Sequence, residues 1–392
     1  MLGRAPDGPW STRLMVVMMV TQASIMMARP ATTYRAIEIG AGPWEIGLLT
    51  AMFGLLPAVV ALRMGRLADR GGAGAVLVGS FVPLIAGPLI VAFSDSFGWL
   101  AVGTCLHGLG ALAIMVGAQS IVAQRSEAAS FDRAFGHLTA FISLGQMLGP
   151  LCGGIAAAVL PLEGRMRWVC VLSAVLSLLC LPAAIGLGSP GQGARDRDRQ
   201  ESVGLLAMIN RPGVFGGMLS SIALLTVLDV LVAFLPLLGQ HRGLSPTVVG
   251  LLLSIRAAMS FASRLLLERL RRSWGRVSLL VASTGLSGVL ISLVPVLHSV
   301  LVLAAALAAF GFLMGIGQPL SMSHLAQAVP ANAVGAALSL RLTGNKVGQA
   351  SIPVVVGLAA STWGVAAAFW LGGLLLSGAA ISVASSARSP EP

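Results

Sequence analysis

The chain has 392 residues, of which 56% are hydrophobic and 10% charged, with a formal net charge of +11. That leaves too little polar side chain to clothe a soluble globule, so a water-soluble fold is excluded. Nucleic acid is not the expected partner of the positive charge, because the basic residues sit in short loops between apolar runs with no aromatic-interleaved basic domain.

Twelve apolar stretches of roughly 19 to 29 residues follow one another, each long enough at about 1.5 Å per residue to cross about 30 Å of hydrocarbon. Spans 1 to 6 are predicted at 14–36, 44–62, 75–93, 99–123, 137–160 and 168–187. A polar Gly/Pro-rich stretch, GSPGQGARDRDRQES, then breaks the pattern near the middle of the chain. Spans 7 to 12 follow at 214–238, 246–267, 277–297, 300–328, 332–360 and 364–383. The expected organisation is therefore all-α and polytopic: a six-helix bundle over 1–187, a cytoplasmic linker over 188–212 and a second six-helix bundle over 213–392. Residues 1–13 are too short for a folded domain, and no small-residue cleavage site follows span 1, which is expected to stay as a membrane helix. Cys105, Cys152, Cys170 and Cys180 all lie inside apolar runs without metal-ligand spacing and read as small packing residues.

Orientation follows from the Arg bias of the short loops. With the N-terminus inside, Arg13, Arg63, Arg66, Arg70, Arg125, Arg195, Arg271 and Arg276 are among many cytoplasmic arginines, whereas Arg35, Arg165, Arg167 and Arg242 fall outside. Both termini are then cytoplasmic. The halves also echo one another: Asp69-Arg70 follows span 2 and Glu268-Arg269 follows span 8, 199 residues later, which suggests two six-helix repeats.

Two stretches carry a family resemblance. In FDRAFGHLTAFISLGQMLGPLCGGIAAAVL, residues 131–160, Gly136, Gly145, Gly149, Pro150, Gly153 and Gly154 recur at fixed offsets within a membrane-length run. Repeated glycine lets a neighbouring backbone approach closely, and Pro150 removes a backbone donor and bends the helix. This pattern resembles the antiporter signature, motif C, of the drug:proton antiporter branch of the major facilitator superfamily; a plain packing seam is the alternative. MGRLADRGG, residues 64–72, resembles that superfamily's motif A in Gly65, Leu67, Ala68, Asp69, Arg70 and Gly72, and departs from it at Ala73 and Gly74, where two basic residues are usual. The resemblance covers essentially the whole chain. It implies two pseudo-symmetric bundles, no enzymatic chemistry, and a cytoplasmic latch at the motif A loop.

An ionisable side chain at membrane depth is costly and is a functional candidate by default. Arg256 lies about 15 Å into span 8, Arg341 about 13 Å into span 11, and Arg29 about 22 Å along span 1, directly before Pro30. Lys346 and Asp229 lie in the outer halves of spans 11 and 7. Four cations against one anion favour an anionic or zwitterionic substrate, since guanidinium forks match carboxylate or phosphate; the alternative is that the cations snorkel or pair with Asp229. Gln318, Asn345 and Gln349 add amide groups able to orient a polar solute or to bond helix to helix. Asp229 is the candidate proton carrier, with His107 second. The resemblance cuts against coupling at one place: many proton-coupled exporters carry R-x-x-Q-G-x-G in span 4, and aligning on Gly108 and Gly110 puts Thr104 at the Arg position and His107 at the Gln position.

The expectation is a monomeric secondary transporter of the inner membrane, without cofactor or metal. It works by alternating access as two bundles rock about a central cavity, exporting a small amphipathic or anionic organic compound against protons. The competing readings are an organic-anion importer or exchanger without proton coupling, and a non-transporting sensor. No convergent nucleophile, acid pair or metal cluster, and no ATP-binding loop, points to an enzyme.

Overall fold

A computed structural model gives the fold and describes residues 9–126, 131–161, 164–187, 213–329 and 334–386. The expected linker, 188–212, lies outside these residues. Among those described the chain is helical without strands, as α1 (Pro9–Glu38), α2 (Pro43–Leu67), α3 (Ala73–Gly79), α4 (Phe81–Phe93), α5 (Phe97–Arg125), α6 (Phe131–Val159) and α7 (Arg165–Ala184), followed by α8 (Val214–His241), α9 (Pro246–Trp274), α10 (Arg276–Leu293), α11 (Val300–Gln327), α12 (Val334–Trp363) and α13 (Ala366–Ser386). Eleven spans among the described residues are long and apolar enough to cross a membrane. Predicted span 11 corresponds to α12, which is 30 residues long but is not one of the eleven. It carries Arg341, Asn345, Lys346 and Gln349 within about three turns.

Predicted span 3 is two helices. Pro83 cannot donate to the carbonyl of Gly79, and the interruption falls at Ser80, whose hydroxyl donates to Leu77 O at 2.5 Å. The motif A stretch, expected as a loop, is a π-helical turn over Ala68–Gly72 that runs straight on from α2 and into α3. The wider turn is tolerated because Ala68 and Ala73 are small and buried, Gln124 Nε2 donates to the carbonyl of Ala68 at 3.1 Å, and a Cβ at Gly72 would sit 2.6 Å from Leu67 O.

Two compact units emerge. The first comprises Met1–Ala41, Met52–Asp196 and Gly243–Ser254; the second comprises Gly42–Ala51, Arg197–Arg242 and Ile255–Pro392. In the first unit α1 packs on α6 and α7, and α4 packs on α5 and α7. Its core joins Leu14, Met18 and Ile25 to Leu77, Leu84, Ile114, Ile121 and Leu138. Between α1 and α7 a buried hydroxyl cluster replaces apolar contact: Ser24 Oγ donates to Ser173 O at 2.8 Å and lies 2.8 Å from Ser177 Oγ. Since lipid is as apolar as a helix face, such bonds and close backbone packing are what hold membrane helices together. The second unit packs α8 against α11, α12 and α13, and α10 against α11 and α13.

The internal repeat is real, but its register differs from the one read off the charged pairs. Gly40 and Gly243 both take left-handed φ (84° and 66°) after α1 and α8, and Pro43 and Pro246 open α2 and α9. These pairs are 203 residues apart, as are Ala73 and Arg276, where α3 and α10 begin. At that spacing Asp69 corresponds to Arg272, not to Glu268. The 199-residue offset was about one helical turn short, because one acid beside one base is too little pattern to fix a register.

Arginines expected only to set topology also close helix ends. Arg13 Nη2 donates to the carbonyls of Ala183 and Ile185 at 3.2 and 2.8 Å, at the C-terminal end of α7. Arg35, which is 6% exposed, donates to Ser94 O at 2.8 Å, and Arg167 Nε donates to Ala92 O at 3.1 Å. The last carbonyls of a helix lack intrahelical donors, and a cation there also suits the helix dipole.

Candidate functional site

The motif C glycines make a seam. A Cβ at Gly145 would lie 2.3 Å from Met19 O, one at Gly149 2.4 Å from Ala23 O, and one at Gly153 3.0 Å from Met27 Cγ. Both helices therefore present every fourth residue, with α6 offering glycine and α1 its backbone, in parallel register. Gly154 meets Gly250 of α9 within the same unit, and Thr247 Oγ1 donates to its carbonyl at 2.8 Å. Gly136 takes no part, being exposed with nothing near its would-be Cβ. The methionines of α1 belong to this packing: Met15, Met18 and Met27 are buried. Of the cysteines, Cys170 and Cys180 are buried, while Cys152 is exposed and so not a packing residue.

Beside the seam, Arg29 and His107 are brought to one ring. The guanidinium carbon of Arg29 sits 4.5 Å from the Phe53 centroid, over its electron-rich face, and His107 meets the same ring edge-on at 5.7 Å and 85°. Gly108 permits this, since a Cβ there would fall 2.0 Å from Phe53 O. His107 is 2% exposed, and its Nε2 has no hydrogen-bond partner among the described residues. Thr104 spends its hydroxyl on Leu100 O at 2.7 Å, in its own helix.

The polar residues of the second unit form separate groups. Gln349 Nε2 donates to Asp229 Oδ2 at 2.8 Å, and Lys346 Nζ donates to Gln349 Oε1 at 3.0 Å. One turn away, Ser221 Oγ donates to Asn345 Oδ1 at 3.0 Å, a bond between α8 and α12. Gln318 Oε1 accepts from Arg264 Nη2 at 3.2 Å. Arg256 is 4% exposed, and its carbonyl lies against Gly311, where a Cβ would fall 2.0 Å away. Phe53 with Gly108 and Arg256 with Gly311 are the same contact in the two halves, each residue 203 positions from its counterpart. Arg341 is half-buried.

Of the latch residues, Gly65 has open space around it and Arg70 is exposed; the side chain of Asp69 lies outside the described part. Glu268 pairs with Arg271 (2.9 Å) and Arg272 (3.0 Å) on its own helix, rather than with the adjacent Arg269. Helical geometry explains this, because residues three and four apart share a face and neighbours do not. Phe53, Ser221 and Arg264 are the partners that sequence reasoning did not assign to a site, and Gln349, expected only as one of several amides, is the link to Asp229. The clue available was i, i+3 spacing of Lys346 and Gln349.

The helical membrane spans agree with comparison to known proteins. The family model described as Major Facilitator Superfamily matches residues 14–245 and 217–392. The chain belongs to the major facilitator superfamily. It is a multi-pass membrane protein that transports small molecules and is not an enzyme. Over 343 residues, 85% of this chain and 83% of the relative, it is 23% identical to tetracycline resistance protein, class H, of Pasteurella multocida. It is 32% identical over 117 residues to the class B tetracycline resistance protein of Escherichia coli, a match spanning 30% of this chain and 29% of that protein. The fold of this superfamily member is similar to a bacterial homologue of the human lysosomal transporter Spinster in an inward-facing, occupied conformation. There the TM-score is 0.77 at 16% identity, over 98% of this chain and 100% of the other.

Proposed function

We propose that this member of the superfamily is a secondary active exporter working by alternating access, exchanging protons for a small amphipathic organic compound. The glycine seam of α6 on α1 carries the reading, because it is the packed form of the motif C pattern that the antiporter branch shows. The similarity to tetracycline resistance proteins supports the same class of cargo. Arg29, Arg256, Arg341, Lys346, Gln318 and Asn345 contact the cargo, and Asp229 carries the proton. The π-turn with Gly65, Asp69, Arg70 and Gly72, together with Glu268 and Arg269, governs the cytoplasmic side. The protein works as a monomer in the inner membrane with both termini cytoplasmic.

The test is flux in proteoliposomes. With the interior acidic, tetracycline is expected to accumulate while a trapped pH dye reports proton loss, and both signals should vanish when the gradient is collapsed. Tetracycline entry indifferent to the gradient overturns proton exchange.

A second reading, exchange or import of an organic anion without protons, is favoured by one observation. α5 offers Thr104 and His107 where many proton-coupled relatives carry Arg and Gln, while Arg29 stands over the face of Phe53. Under this reading benzoate flux is stimulated by benzoate on the far side and does not respond to the pH gradient.

A further inference from the structure

The chain contains 25 basic residues of the Lys and Arg types, and Lys346 is the one lysine; all the others are arginine. It lies within α12 rather than in a loop. Its ammonium donates to Gln349 Oε1 at 3.0 Å, and the other end of that amide, Nε2, donates across to Asp229 Oδ2 on α8 at 2.8 Å. Asp229 is 8% exposed. Neighbouring bonds hold the two helices in this register: Ser221 to Asn345, and Gly348 closely packed on Ile222 and Thr226.

A carboxamide has one donating end and one accepting end. An ionised carboxylate only accepts and an ammonium only donates, so between Asp229 and Lys346 the amide of Gln349 has a single orientation that satisfies both. Protonation gives Asp229 a donor. If its O–H turns to Gln349, the amide must reverse about its last torsion, placing Oε1 toward Asp229 and Nε2 toward Lys346. Donor then faces donor, and the ammonium is released from Gln349.

We propose that Gln349 is a switching amide that relays protonation of Asp229 on α8 to Lys346 on α12. One proton is taken up by the carboxylate, no other group changes charge, and the ammonium loses its acceptor on Gln349. The consequence for transport rests on the reading that Lys346 contacts cargo. How Lys346 holds cargo then depends on whether Asp229 is protonated.

Among the elements packed on α8, α13 has no titratable side chain, α12 contributes Arg341 and Lys346, and α11 contributes His324. Arg341 is eight residues, about 12 Å, before Gln349 along its helix. His324 lies against Gly213 and Gly217, at least about 18 Å along α8 from Asp229. On α8 itself His241 is about 18 Å further on.

The single lysine makes the test direct. Protein grown with carbon-13 lysine and purified in detergent gives one lysine side-chain signal set, followed by NMR from pH 4 to pH 9. The wild type is expected to show one transition at the Lys346 ε-carbon, which is lost in Asp229→Asn and lost in Gln349→Met, with circular dichroism and thermal melting reporting that each variant is folded. No transition in the wild type overturns the relay. A transition of unchanged size in Gln349→Met also overturns it, since Lys346 would then sense Asp229 directly. Should Gln349→Met not fold, Gln349→Leu replaces it: it gives neither Lys346 an acceptor nor Asp229 a donor and adds no titratable group, so the same outcomes apply. Adding benzoate separates the relay from the cargo reading. A relay seen by pH whose lysine signal ignores benzoate at every pH leaves the switch standing and removes Lys346 from the cargo site.

Discussion

Pro150 and Gly250 meet backbone to backbone: a Cβ built on Gly250 would lie 2.4 Å from the Pro150 carbonyl oxygen, and the repeat reproduces the contact with Gly47 at 2.5 Å from Pro353 O. Both glycines also touch a second glycine, Gly154 and Gly357 respectively. Gly250→Ala and Gly47→Ala are each expected to force these helices apart and to lower the melting temperature. Overpacking of this kind costs about 1–3 kcal/mol. Thermal shift in detergent is the measurement, and a loss in one variant without a similar loss in the other contradicts the equivalence.

The motif C positions separate into those that pack and one that does not. Gly145→Ala and Gly149→Ala drive a methyl group into the α1 backbone and are expected to destabilise the protein. Gly136→Ala, on an open helix face, is expected to be neutral or to gain up to about 1 kcal/mol from helix propensity. A Gly136 variant as damaged as the Gly145 variant would show that the pattern is kept for a reason other than the seam.

Phe53 holds Arg29 over its ring and meets His107 in a T-shaped contact. Phe53→Leu is expected to lose about 0.5–2 kcal/mol of cation–π attraction, whereas Phe53→Trp retains it. A double-mutant cycle with Arg29→Met, read by denaturation in mixed micelles, isolates the interaction. A coupling energy of zero means the guanidinium gains nothing from the ring.

Arg242 closes the end of α10, its guanidinium donating to the carbonyls of Val294, Pro295 and Leu297. An ammonium cannot reproduce that fork, so Arg242→Lys is expected to behave more like Arg242→Ala than like the wild type. Each loses about 1–3 kcal/mol, seen as a lower melting temperature. Full rescue by lysine would reduce the residue to a topology charge.

Much of the helix inventory was legible because it is local. A long apolar run in a chain so poor in charge has one physical outcome in lipid, and a break in it marks a turn. The places that escaped were those where local signals are weak: Pro83, which divides predicted span 3, and the motif A stretch, whose glycines read as a loop but close a π-turn on the Gln124 amide. For the site, the polar candidates were visible as expensive residues at depth, yet Phe53, which organises Arg29, carries no such signal, and Gln349 showed only as one amide among several, with nothing to tie it to Asp229. An aromatic ring or an amide is unremarkable until its neighbour is known.

By itself the sequence determined that the chain crosses a membrane many times, that α6 carries a glycine face for another helix, and that Arg29, Asp229 and Lys346 need polar company. Only the tertiary structure decided which company: Arg29 with Phe53, and Asp229 with Gln349, residues 120 apart in the chain. It also moved the repeat to its true register. Apolarity and helical period are properties of a few consecutive turns, whereas a contact between helices depends on how each is rotated and how closely two backbones approach, which no single segment encodes.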